Sequence, residues 1–215
     1  MSAPHLEAEK RAILAAALPS VAFDGWSAET LRAATAAAGF EPSMALRAFP
    51  SGAVGLLEFF IAEADRRMLD DLAAVDTGML KLRERIATAI RLRLTAQAGH
   101  REAIRKGLSV LALPVHAGRA LRGLYRTVDA IWYAAGDTST DFNFYSKRLL
   151  LAGVYSATLL YWLDDKSEGQ TATWNFLDRR IGDVMRIQKL RGRLGGLSAN
   201  WPDPSRLFRR RVSGR

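Results

Sequence analysis

The chain of 215 residues contains no cysteine and only three histidines. Disulfides and thiolate metal sites are therefore excluded, and His5, His100 and His116 have no partner at metal-ligand spacing. No Glu-x-x-His pair, Gly-x-Ser-x-Gly elbow or phosphate-binding glycine loop occurs. We therefore predict a protein that is not an enzyme and that has neither a cofactor nor a metal ion.

One short polar stretch, "AGDTSTDFN", carries two carboxylates four residues apart, Asp137 and Asp141. Paired carboxylates can perform acid and base catalysis. The same residue types are also typical of a turn that leads into a helix N-terminus. Because no second group is positioned as a nucleophile or base, we favour the turn over a catalytic site.

Alternation with a period of two is absent from the sequence, and apolar residues recur at spacings of three and four. This periodicity predicts helices throughout and an all-α domain. The first, Ala-rich helix is expected to stop at Pro19. We divide the domain into residues 1–72, resembling a helix-turn-helix region, a helical core at 73–185, and a tail at 186–215.

Residues 149–163, "LLLAGVYSATLLYWL", contain no charged side chain. A membrane-spanning helix needs about 20 apolar residues, so this shorter run predicts a central, buried helix of the domain. The sequence leaves open whether its side chains fill a solid core or line a cavity for a long apolar ligand.

The tail holds most of the positive charge of the chain. Residues 185–215 contain nine Lys or Arg and one acid, Asp203, which gives +8 of the formal net charge of +9. Such a segment favours nucleic acid or an anionic membrane as its partner, and the alternative is a solvated tail. Within it, apolar residues share one helical face, Arg193 adjoins that face, and a tryptophan suited to the headgroup layer follows. The predicted membrane-binding residues are Ile187, Leu190, Arg193, Leu194, Leu197 and Trp201.

Residues 25–52 resemble the helix-turn-helix of TetR-type repressors, with a turn at Ala38 and Gly39. Repressors of that family usually carry Tyr at the position of Leu46 and Lys at that of Gly52, and both reach DNA phosphates. Residues 20–60 contain two cations against four acids, a poor balance for phosphate contacts. We therefore predict a degenerate helix-turn-helix and no nucleic-acid partner. A TetR-type repressor with a hydrophobic effector is the alternative function.

The segments "DAIWYAAGDTSTDFNFYSKRLLLAGVYSATLLYWLDD" and "TWNFLDRRIGDVMRIQK" resemble the Coq-nine family of accessory proteins in coenzyme Q biosynthesis. The resemblance implies a TetR-like fold without DNA binding, a homodimer formed through the C-terminal helices, and a pocket for an isoprenoid or phospholipid tail. It also implies a last helix that touches the membrane. The implied partner is the di-iron demethoxyubiquinone hydroxylase that modifies the quinone ring. By the same resemblance, Asp141, Asn143, Phe144 and Tyr145 form the surface that meets this partner, although Phe144 stands where eukaryotic members tend to carry Trp.

The expected function is thus to bind an isoprenoid lipid at the membrane and to present it to the hydroxylase. The predicted lipid-binding residues are Phe60, Leu124, Trp132, Leu150, Val154 and Leu159. The N-terminus has no apolar run and is neither a signal nor a transit peptide. We therefore expect a bacterial, cytoplasmic protein that is peripheral on the inner membrane.

Overall fold

A computed structural model describes the backbone of residues 6–136 and 143–198, and the side chains of 6–136, 146–184 and 186. Within these ranges the chain forms nine α-helices and no strand, so the predicted all-α class is confirmed. The helices are α1 (Glu7–Asp24), α2 (Ala28–Ala37), α3 (Ser43–Ala48), α4 (Gly52–Ala73), α5 (Leu82–Ala96), α6 (Arg101–Leu111), α7 (Ala117–Ala134), α8 (Asn143–Asp164) and α9 (Thr171–Ser198). Helix α9 runs through the predicted division at residue 186, and the predicted domain divisions stay predictions.

Local signals set the ends of the N-terminal helices. The Ser27 hydroxyl accepts a hydrogen bond from the backbone N–H of Thr30 at 3.0 Å and so caps the start of α2. Gly39, which follows α2, has a φ of +79°, in the left-handed region that glycine adopts without a steric penalty. Because of this residue the chain can turn tightly between α2 and α3.

Helix α1 continues past Pro19, so the prediction that it stops there was wrong. Proline removes the hydrogen bond that would reach the carbonyl of Ala15. Both Pro19 and Ala15 lie on the exposed side of the helix, where water can satisfy that carbonyl. On the opposite side, Ala17 and Val21 are fully buried. Burial of Ala17 before the proline and of Val21 after it therefore keeps the helix continuous.

The core consists of two hydrophobic clusters. The first joins α1, α2, α3 and the N-terminal half of α4 to α6. The second joins the C-terminal half of α4 to α5, α7, α8 and α9. Helices α4 and α6 connect the two, since Ile104 of α6 packs against both clusters.

Helix α8 is buried on one side only, which corrects the prediction of a central, fully buried helix. Trp162 and Leu163 lie in the core, whereas Leu149 is 76% exposed and Leu160 is 59% exposed. Gly153 lies on the same exposed face as these two leucines. The absence of charged residues correctly indicated an apolar helix. An apolar helix face can, however, be left uncovered within a single chain. None of the described helices is both long enough and apolar enough to cross a bilayer.

Candidate functional site

A cavity of about 420 Å³ lies between α4, α5, α6, α7 and α8. This volume is within the range of about 300–1,000 Å³ that is typical of small-molecule pockets. Its wall is predominantly apolar. The large aliphatic and aromatic residues of the wall are Leu57, Phe60, Ile61, Ile104, Leu108, Leu111, Leu124, Tyr155, Leu159 and Leu160.

Two glycines shape the wall in different ways. A Cβ at Gly107 of α6 would approach Leu57 Cδ1 to 2.8 Å and Trp26 Nε1 to 3.3 Å, so a larger residue there would displace the Leu57 side chain where α6 packs on α4. A Cβ at Gly123 of α7 would meet no described atom within 4 Å. Gly123 therefore marks a stretch of wall that opens on empty space.

A buried ionic cluster forms the polar part of the wall. The Arg93 guanidinium donates from Nε to Asp65 Oδ1 at 2.8 Å, and Arg93 also donates from Nη1 to the Tyr155 hydroxyl. The Thr127 hydroxyl lies 2.9 and 3.0 Å from the two Asp65 oxygens. Both charged residues are about 95% buried. Because four different helices supply these residues, the cluster fixes α4, α5, α7 and α8 around the cavity.

The electrostatics of this cluster keep its tyrosine neutral. Burial raises the pKa of Tyr155; the Arg93 guanidinium lowers it in part, and the Asp65 carboxylate adds to the rise. Since the Tyr155 oxygen accepts from Arg93, its own proton is directed elsewhere. The cluster thus presents a neutral hydroxyl and a paired guanidinium to the cavity.

The structure distributes the six predicted lipid-binding residues unequally. Phe60, Leu124 and Leu159 line the cavity. Trp132 and Val154 instead line a second, smaller cavity of about 100 Å³. Leu150 is half-buried and lines neither of them. Their role in binding lipid stays a prediction.

Sequence reasoning missed the polar wall and the contribution of α6. Arg93 and Gln97 follow Ile86, Ala89 and Ile90 along the buried face of α5. A guanidinium and an amide on such a face were a signal that could have been used. The one-sided stripe of Ile104, Leu108 and Leu111 on α6 was not among the predicted lipid-binding residues, although it lines the cavity.

The predicted partner and membrane residues are described only in part. Asp141 and Trp201 lie outside the described residues. The backbone of Asn143, Phe144 and Tyr145 forms the first turn of α8. The backbone of residues 187–197 continues α9, which ends at Ser198. The predicted side-chain roles of both groups stay predictions.

The helix-turn-helix-like region has an exposed surface with little positive charge. Leu46 of α3 is 65% exposed, and Gly52 is the first residue of α4. Arg32 and Arg47 are the cations among residues 20–60, and both are exposed. Among the described residues, no group of three or more His, Cys, Asp or Glu could hold a metal ion.

Comparison with known proteins identifies two kinds of similarity. Residues 117–188 match the model of the COQ9 family. The chain is 30% identical to the mitochondrial ubiquinone biosynthesis protein COQ9 of Drosophila melanogaster over 90% of its length. It is 34% and 32% identical to the proteins of that name from Rattus norvegicus and Homo sapiens, over 81% of its length. The chain spans 57–60% of the length of these three relatives.

Among solved structures, a TetR transcriptional regulator from Nitrosomonas europaea superposes with a TM-score of 0.68 at 24% sequence identity. The match covers 82% of this chain and 97% of the regulator, and it confirms the predicted TetR-like fold. The family match covers α7, α8 and most of α9, which include two walls of the large cavity. The predicted resemblance to the Coq-nine family is thereby confirmed: the chain is similar in sequence to the COQ9 proteins and has a TetR-like fold.

Proposed function

We propose that the protein takes part in ubiquinone biosynthesis as a non-catalytic lipid-binding protein. In this proposal it binds an isoprenoid lipid at a membrane surface and presents it to the quinone-ring hydroxylase. The names of its relatives support the pathway. The cavity of about 420 Å³, whose wall is predominantly apolar, supports the lipid.

The size and apolarity of the cavity are the observations that carry the proposal. Each CH₂ group transferred from water to an apolar site contributes about 0.8 kcal/mol. Polyprenyl chains therefore stay in the bilayer unless a protein offers them another apolar surface. An enzyme that modifies the ring benefits from a carrier that supplies this surface.

The direct test is to purify the protein under native conditions and identify co-purifying lipids by mass spectrometry. We expect an isoprenoid lipid at a substantial fraction of the molar amount of protein. Protein that is free of lipid and that also fails to bind added isoprenoids would refute the proposal.

We further propose that the start of α8 contacts the hydroxylase. The residues assigned to this surface are Asp141, Asn143, Phe144 and Tyr145, because aromatic residues beside polar ones are common at interface hot spots. The substitutions Asn143→Ala and Phe144→Ala, each followed by pull-down of the hydroxylase, test the surface. Folded variants that bind as well as the wild type would remove these residues from the interface.

The uncovered face of α8 is consistent with a homodimer through the C-terminal helices. Leu149, Leu160 and Tyr161 of α8 are exposed in the single chain. Tyr161 also stacks on Phe176 of α9, with 4.7 Å between the ring centroids. Association of two copies would bury this apolar surface. Sedimentation analysis of the wild type and of Leu149→Glu, a position outside the cavity wall, would show whether α8 mediates it.

The basic tail is the proposed membrane contact. Apolar burial of its leucines, together with about 1 kcal/mol for each cation near an anionic surface, gives reversible attachment. The wild type should float with anionic liposomes, and serine at Leu190, Leu194 and Leu197 should weaken flotation. Equal flotation of both proteins, or none at all, would exclude this role. The cytoplasmic face of a bacterial inner membrane stays the predicted location.

The TetR-like fold also supports a second candidate, a transcriptional repressor with a hydrophobic effector. Such a protein needs cations at the phosphates, and residues 20–60 supply only Arg32 and Arg47. A gel shift with promoter DNA distinguishes the two functions. A salt-sensitive, sequence-specific shift would favour the repressor.

A further inference from the structure

One buried polar atom in the cavity wall has no hydrogen-bond partner among the described residues. Gln97 caps the C-terminus of α5 and is only 7% exposed. Its Oε1 is buried and has no hydrogen-bond partner among the described residues, and the side chain lines the large cavity. A buried amide oxygen without a partner is unfavourable, and such groups in folded proteins usually have a ligand or a water to satisfy them.

Gln97 belongs to the polar side of the cavity. It follows Arg93 by four residues and therefore lies one helical turn beyond it on the same face of α5. Arg93 in turn holds the Tyr155 hydroxyl, and Ser156, next in sequence to Tyr155, also lines the wall. The α5 and α8 walls thus offer amide and hydroxyl groups, while α6 offers aliphatic side chains.

Arg93, the charged side chain that lines this polar side, already has a carboxylate partner. Arg93 is paired with Asp65 at 2.8 Å, and the half-exposed Arg126 lies 3.5 Å from the other oxygen of the same carboxylate. A phosphate or carboxylate headgroup would have to compete with Asp65 for Arg93 inside the protein, at a large desolvation cost. A neutral hydroxyl can instead donate to Gln97 Oε1 and accept from a neighbouring donor.

We propose that the Gln97 carboxamide is the polar anchor of the cavity, and that the preferred ligand is a neutral isoprenoid that bears a hydroxyl group. The inference rests on the proposed function, because it assumes that the cavity takes an isoprenoid. It narrows the ligand class, since hydrocarbons lack the group that Gln97 requires and anionic lipids carry a charge that the wall does not match.

The test compares farnesol with farnesene, an isoprenoid hydrocarbon of the same chain length. Each is delivered from cyclodextrin to the wild type, to Gln97→Met and to Leu108→Met, and binding is measured by calorimetry. The readout is the Kd for farnesene divided by the Kd for farnesol. The difference in hydration free energy between the two free ligands is the same for every variant, so it does not affect the comparison of these ratios. Methionine retains the length of the side chain and removes the amide, and Leu108→Met is the matched control on the apolar wall.

We expect the ratio to fall about fivefold or more in Gln97→Met and to stay unchanged in Leu108→Met. A second measurement needs only the wild-type protein. It uses farnesyl methyl ether, which is more apolar than farnesol but cannot donate a hydrogen bond. The wild type should bind this ether several-fold more weakly than farnesol.

The outcomes distinguish failure of the Gln97 anchor from failure of the proposed isoprenoid binding. An unchanged ratio in Gln97→Met, or an ether that binds as tightly as farnesol, overturns the anchor and leaves the isoprenoid cavity in place. If Gln97→Met does not fold, the comparison with the ether decides. Failure of the wild type to bind any of the three ligands overturns both the anchor and the proposed function.

Discussion

Removal of one partner of the buried ion pair between Asp65 and Arg93 is expected to destabilise the protein strongly. Replacement of Asp65 by leucine leaves the Arg93 charge buried with the Tyr155 hydroxyl as its remaining partner in this cluster, and it also removes the acceptor of Thr127. Breaking a buried pair by removing one partner costs about 3–5 kcal/mol. For a domain of this size, each kcal/mol corresponds to about 2–4 °C in Tm, so we expect a decrease of roughly 6–20 °C.

The double variant Asp65→Leu with Arg93→Met provides the decisive comparison. It removes both charges and replaces them with apolar side chains, which can be nearly neutral or stabilising for a buried pair. We therefore expect the double variant to be more stable than Asp65→Leu alone by about 2 kcal/mol or more. Urea unfolding followed by circular dichroism measures this through the midpoint, provided that the slope of the transition is unchanged.

An exposed pair of similar geometry serves as the control. Arg91 donates to both oxygens of Asp178 at 2.7 and 2.8 Å, but their side chains are 40% and 55% exposed. The substitution Arg91→Met should cost no more than about 1 kcal/mol. If Asp65→Leu costs as little as Arg91→Met, or if the double variant is less stable than Asp65→Leu, the reasoning about desolvation is refuted.

Two further predictions concern the cavity and the turn before α9. The substitution Gly123→Phe should fill the cavity and abolish isoprenoid binding without loss of thermal stability. Gly118→Phe, on the exposed side of α7, is the control and should leave binding intact. Isoprenoid binding by the Gly123→Phe variant as well would contradict the assigned site. Burial alone would raise the pKa of Asp165, but hydrogen bonds from Thr173 and Ser167 hold it well below its usual range. The carboxylate therefore stabilises the fold at neutral pH, and the stability difference between wild type and Asp165→Asn should be constant above about pH 5 and shrink below about pH 4. Urea unfolding as a function of pH measures this difference, and a gap that is independent of pH would contradict the hydrogen-bonded carboxylate.

Sequence periodicity predicted the helices well because helical faces are a local property. The path of α1 beyond Pro19 was not predictable from the proline alone, since it depends on burial of Ala17 and Val21 by other helices. The uncovered face of α8 has a similar origin. An apolar sequence reports what a face can bury, whereas the neighbouring helices determine which side is covered.

The cavity shows where sequence reasoning about the site ends. Apolar stripes on α4, α6 and α7 look the same whether the space between them is filled or empty, because most interiors are close-packed. The positions of Gly107 and Gly123 in the wall become meaningful only with the helices in place. The buried Arg93 and Gln97 were the one local signal that the face of α5 was not simple core.

The N-terminal helices have a structural role that does not depend on nucleic acid. The indole N–H of Trp26, between α1 and α2, donates to the carbonyl of Ala103 in α6 at 2.9 Å. Its ring lies 5.3 Å from that of Phe60, which itself lines the cavity. The hydrophobic cluster that holds the helix-turn-helix-like region together thus also packs against α4 and α6, two helices of the cavity wall. Substitutions of exposed residues such as Leu46 would leave this packing untouched, whereas loss of the region itself would remove the support of two cavity walls.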